Sequence, residues 1–169
     1  MARMAPQQRV RIGQFVSDVR RTWQAAPGCS VFKTTVSSAR FAGNVNKVIG
    51  FGLGPFTLED DLHNRRAIVQ HDMLSSLHDL VAHKSGGAPV GCFAQDPGYE
   101  AEERNILGSL NVLTADDPQG FLMLDDESVV MAIAPDVPVK QIVLDLCRPV
   151  AILWQADLAP QYRGYGPSL

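Results

Sequence analysis

The sequence predicts a three-layer α/β sandwich: a mostly parallel sheet of about five strands with helices on both faces. Three observations carry this reading. Short apolar runs alternate along the chain with longer segments whose apolar residues recur every three or four positions, the order that builds a parallel sheet. The runs are continuous rather than alternating, as in Ser128-Val-Val-Met-Ala-Ile-Ala134, which suits strands buried on both faces. Turn formers such as Ser85-Gly86-Gly87 and Asp96-Pro97-Gly98 punctuate the joints.

The elements follow in order. Ile12, Phe15, Val16, Val19 and Trp23 form one apolar stripe and predict a first helix, which Pro27-Gly28 ends. Residues 31–42 read as a short helix or an irregular cover. Lys47 to Gly52 is a buried strand closing in glycines. Ile68, Val69, Met73, Leu74, Leu77, Leu80 and Val81 predict a long helix that stops at Ser85-Gly86-Gly87. Thr57 with Asp60 resembles a capping box for it, and Glu59, Asp60 and Asp61 crowd its expected first turn. Pro89 to Ala94 is a second strand, Tyr99 to Leu110 a polar helix, and Asn111 to Leu113 a brief third strand. After the strand at 128–134, Asp136 can cap a helix with Pro138 in its first turn and Ile142, Val143 and Leu146 inward. Val150 to Trp154 is the last strand. The expected organisation is an N-terminal helix and connector over residues 1–44, packed on an α/β domain over 45–158, then an irregular tail over 159–169.

The chain has 169 residues, 46% of them hydrophobic, enough for one substantial core. Fifteen Lys and Arg against eighteen Asp and Glu give a net charge of −3, so no overall positive field favours nucleic acid. Arg3, Arg9, Arg11, Arg20 and Arg21 make the N-terminus locally basic and read as a solvated helix face. No apolar run approaches the ~20 residues of a membrane span. The first residues also lack the apolar core of a secretory signal. Three widely spaced cysteines, Cys29, Cys92 and Cys147, form no CxxC pair, so neither a disulfide framework nor a structural metal site is expected. Together these observations suit a cytoplasmic protein without metal, and Cys92 and Cys147 read as small buried hydrophobes.

In a doubly covered parallel sheet, ligands bind at the carboxyl ends of the strands. The functional rim is therefore expected at residues 52–57, 95–98, 114–117 and 135–138. The loop Gly50-Phe-Gly-Leu-Gly54-Pro55 does not match G-x-G-x-x-G, and the carboxylates of residues 59–61 would repel a phosphate. No nucleotide, flavin or other cofactor is therefore expected. His71, His78 and His83 read as solvent-facing. His63, at the rim end of the long helix, is the histidine within reach of a substrate. Asp96 and Asp136 each follow a buried strand. Across the crevice they could orient a cation or share acid–base work, although a turn at Asp96 and a cap at Asp136 would each account for them.

The residues Val48-Ile-Gly-Phe-Gly-Leu-Gly-Pro-Phe56, Arg66-Ala-Ile-Val-Gln70, Asp96-Pro97 and Gly108 stand in an order that resembles the Sensitivity to Red Light Reduced family, the SRR-like domain. Residues 115–120 and 129–135 extend the likeness, which covers roughly residues 45 to 155. The resemblance implies a Rossmann-like fold with a crevice. It also implies a regulatory connection, through circadian input and haem-biosynthesis control, without an agreed reaction. Where the family carries Pro-His-Cys, this chain has Pro135-Asp136-Val137. The expected site is then a ligand surface of Gly52, Gly54, Pro55, Phe56, Thr57, Gln70, Pro97 and Pro135, with Asp96, Asp136 and His63 as candidate catalytic groups. Two functions fit: a domain that binds a small molecule, regulatory in role, or a small biosynthetic enzyme using those groups without a nucleotide. A homodimer is compatible with either.

Overall fold

The computed structural model describes residues 6–41, 43–56, 61–133, 135 and 137–154. The tail expected at 159–169 lies outside the described residues, as do Thr57, Glu59, Asp60 and Asp136. Strands β1 (Lys47–Phe51), β2 (Gly91–Gln95), β3 (Leu113–Ala115), β4 (Ser128–Ala132) and β5 (Ala151–Trp154) form one sheet in the order β3-β2-β1-β4-β5. Every pairing is parallel. The helices are α1 (Pro6–Gln24), α2 (Pro27–Ser38), α3 (Leu62–Lys84), α4 (Ala101–Ser109), α5 (Gln119–Leu122) and α6 (Val139–Leu146).

Alternate strand residues feed two cores. Val48, Cys92, Ala94, Val129 and Met131 pack with α3, α4 and the buried stripe Ile12, Val16 and Val19 of α1. Ile49, Phe51, Val130 and Ala132 face the other way, onto Val139 and Val143 of α6 and Phe121 of α5. This two-sided burial is what the continuous apolar runs require. No described helix is long and apolar enough to cross a membrane.

Several local expectations change. Helix α1 ends at Gln24, just before Pro27 as expected, and Pro27 in turn opens α2, where its fixed φ and missing N–H suit the first turn. Helix α3 is capped by Asp61, whose side chain accepts the Asn64 N–H, rather than by Thr57. Asn111 does not start β3. Its φ of 59° makes it the left-handed terminator of α4, and the strand begins at Leu113. The short helix α5 has no signature in the apolar periodicity. Helix α6 starts at Val139 with Pro138 in the cap position, in place of the cap expected from Asp136.

The basic N-terminus is only partly a solvated face. Arg20 Nε lies 2.5 Å from Asp72 Oδ1, and Gln24 Nε2 donates to both oxygens of the same carboxylate. Asp72 is 2% exposed, so this polar clasp joins α1 to α3 inside an otherwise apolar interface. An unpaired carboxylate there would be costly to bury, which explains why two donors from α1 converge on it.

Candidate functional site

The strand order runs outward from β1 through β2 to β3, then returns to the far side of β1 with β4 and β5. The reversal falls between β1 and β4, where a crevice opens beyond the carboxyl ends of the strands. Phe51 stands in register with Gln95 on one side and Ala132 on the other, so the rim is level across the three central strands. A cavity of about 290 Å³ occupies this position.

Each wall has a local cause. After β1 the chain turns at Gly52, φ +63°, and again at Gly54, φ +79°, conformations that L side chains rarely adopt. A β-carbon at Gly52 would lie 2.8 Å from Pro135 Cα, so the close approach of the β1 and β4 loops depends on glycine there. Asp96 holds the turn in place: its Oδ2 accepts the Gly54 N–H and its Oδ1 accepts the Gly98 N–H, both at 2.9 Å. Gln95, 5% exposed at the end of β2, accepts the Gly120 N–H at 2.6 Å and donates to Asp117 Oδ1 at 2.8 Å. That bridge fixes α5 to the sheet and brings Phe121 onto Phe51, ring centroids 4.4 Å apart and nearly parallel. Val137 and Val139 complete the apolar side, and exposed His63 stands at the edge beside Gly54.

Seven sequence candidates therefore meet in one lining: Gly52, Gly54, Pro55, His63, Asp96, Pro97 and Pro135. Phe56 and Gln70 do not line it. Phe56 turns inward and is buried, and Gln70 sits half-buried farther along α3. Thr57 and Asp136 lie outside the described residues. Sequence reasoning placed Gln95 and Asp117 within rim segments without singling them out. Their side chains matter because they bond to each other and to α5, a partnership across 22 positions that no local pattern announces.

A second polar group lies beneath the glycine turn. His71 is 3% exposed, and its Nδ1 is 2.7 Å from the Ala67 carbonyl oxygen. A carbonyl only accepts, so Nδ1 carries the proton, and Nε2 accepts from the Tyr99 hydroxyl at 2.6 Å. Burial lowers the His71 pKa to about 4, so the ring is neutral at pH 7. The expectation that His71 faces solvent thus fails. Its spacing from Ile68 and Leu74, three positions each way on the apolar stripe, was the available signal. His78 is half-buried too, its Nε2 3.0 Å from the Val90 carbonyl oxygen.

Glu103, 6% exposed, accepts the N–H groups of Phe56 at 2.6 Å and Glu100 at 2.7 Å. Burial raises its pKa, opposed by those two backbone bonds. The Phe56 ring meets His71 edge-on at 5.3 Å. This layer supports the rim from below and has no share in the cavity lining.

A broader groove of about 910 Å³ lies at the opposite end of the sheet, where its lining includes Asn46, Lys84 and Glu127. Its one ammonium is already engaged, since Lys84 donates to the carbonyls of Ser37 and Ala39 at the end of α2. No group of three or more His, Cys, Asp or Glu suited to a metal occurs among the described residues. The cysteines are free, and burial pushes the Cys92 thiol up to about 12, which makes it inert at neutral pH. Cys147 is half-buried rather than fully so.

Comparison with protein-family models matches the SRR1 domain over residues 30–155. No curated protein and no solved structure matches the chain.

Proposed function

The chain belongs to the SRR1 domain family, and from that premise we propose that it is a binding protein holding a small molecule in the crevice between β1, β2 and β4. The observation that carries this reading is the cavity itself. It is concave, sits at the reversal in strand order, and combines an apolar side with a few convergent polar groups. Binding is favoured over turnover because the described lining offers no Ser, Thr, Cys, Lys or Arg. Asp96, a candidate base, already gives both oxygens to backbone amides. The alternative, acid–base chemistry by His63, Asp96 and Asp136 without a nucleotide, therefore has the weaker support.

Small-molecule binding is also preferred to a protein partner seated on the N-terminal helices. Their exposed large apolar residues are Val10 and Val31, single side chains on different helices, which is ordinary for a surface. A regulatory role follows the family resemblance, and the three free cysteines support a reducing, cytoplasmic setting.

The test is native mass spectrometry of the purified protein beside a Val137→Trp variant, whose indole would fill the cavity from an exposed rim position. The expected result is a small organic molecule on the wild type that the variant lacks, with a melting temperature raised by that molecule in the wild type alone. If both proteins are free of any molecule, and cell extract raises the melting temperature of neither, the proposal fails.

A further inference from the structure

Sheets of this strand order usually hold phosphate with the free N–H groups of the first glycine loop and of the following helix. Here several of those donors already have protein acceptors. Gly52 N–H donates to the Gln95 carbonyl at 3.1 Å, Gly54 N–H to Asp96, and Phe56 N–H to Glu103, while Pro55 has no N–H. At the start of α3 the Asn64 N–H is taken by Asp61. Gly98 and Gly120, from two other walls, give theirs to Asp96 and Gln95. No Lys or Arg lines the cavity among the described residues. Residues 57–60 contribute none to the sequence either.

Beside the His63 imidazole, the two carboxylates of the described lining keep accepting capacity for a ligand. Asp117 bonds Gln95 through Oδ1 alone, which leaves Oδ2 without a hydrogen bond among the described residues. A carboxylate holds about four lone-pair sites, so Asp96 can also accept beyond its two amides. Phe121, Val137 and Val139 line the same cavity and supply apolar surface. Building on the crevice-binding reading above, we infer that the cavity takes an organic cation, a primary amine or amidinium on a flat apolar body, and rejects phosphorylated ligands. The ammonium faces Asp117 and Asp96, and the apolar body lies along Phe121.

Three probes with the same ring test this by amide NMR titration at pH 7: phenethylamine, 3-phenylpropionate and phenyl phosphate. Phenethylamine is expected to shift the amide signals of Gly52, Gln95 and Gly120, with an affinity at least tenfold above that of either anion. In Asp117→Asn the preference for the amine should narrow to less than threefold. The wild-type comparison stands by itself should that variant fold poorly. An anion that shifts the same amides as strongly as the amine overturns the cation inference and leaves the crevice reading intact. If none of the three moves a crevice amide, the cation inference falls, and the crevice reading is decided by the mass-spectrometry result above.

Discussion

Acidification should destabilise this protein through His71. Folding places the ring where it is 3% exposed and lowers its pKa from 6.5 to about 4, because burial penalises the charged form. The unfolded chain therefore binds the proton more readily. The stability that His71 contributes is complete above pH 6.5 and is lost as pH falls toward 4. One pKa unit corresponds to about 1.4 kcal/mol, so the full window is worth about 3 kcal/mol, of which about 2 kcal/mol is lost between pH 7 and pH 5. Urea unfolding at these two pH values, for the wild type and for His71→Gln, isolates the effect. Glutamine does not titrate, so its unfolding free energy should fall by about 2 kcal/mol less than that of the wild type over the same interval. NMR titration of the imidazole gives a direct check. A ring that titrates near 6.5 in the folded protein, or equal pH dependence in the two proteins, would refute the argument.

Other substitutions test the walls of the crevice and the α1 clasp. Gly52→Ala should cost about 2–4 kcal/mol in urea unfolding, since it adds left-handed strain to a 2.8 Å approach to the Pro135 backbone. A loss below about 0.5 kcal/mol would show that the two loops can separate freely. Asp96→Asn keeps one acceptor and presents an amide N–H to the other donor, so stability should drop by about 1–3 kcal/mol. Gln95→Leu leaves the buried Gly120 N–H unsatisfied. Hydrogen exchange at Gly120 should accelerate at least tenfold relative to Val48 in the sheet centre, and unchanged exchange would mean α5 is held by something else. Asp72→Ala should release α1 from α3, seen as lost amide protection in residues 12–20 while β1 stays protected.

Legibility in the sequence followed range. Strands β1, β2, β4 and β5 and the long helix α3 were readable because each is a local run whose period reflects its own burial. The glycine turn and Asp96-Pro97 were readable for the same reason, as backbone constraints lying within a few residues. Asn111 was misread because its asparagine adjoins an apolar pair, Val112-Leu113, that looks like strand. Its role is set by a backbone angle that leaves little compositional trace. Helix α5 is four residues long, too short for any periodicity to register.

By itself, then, the sequence determined the α/β class, the near order of its elements, the family resemblance and which loops follow the carboxyl ends of the central strands. All of these rest on composition and local spacing, which act through neighbouring residues. Only the tertiary structure decided what the rim groups do. It turned Asp96 toward the amides of Gly54 and Gly98, joined Gln95 to Asp117 and Gly120, and sealed His71 beneath the loop with Tyr99. Hydrogen bonding and burial settle the protonation and availability of a side chain, and both depend on partners brought together from distant parts of the chain.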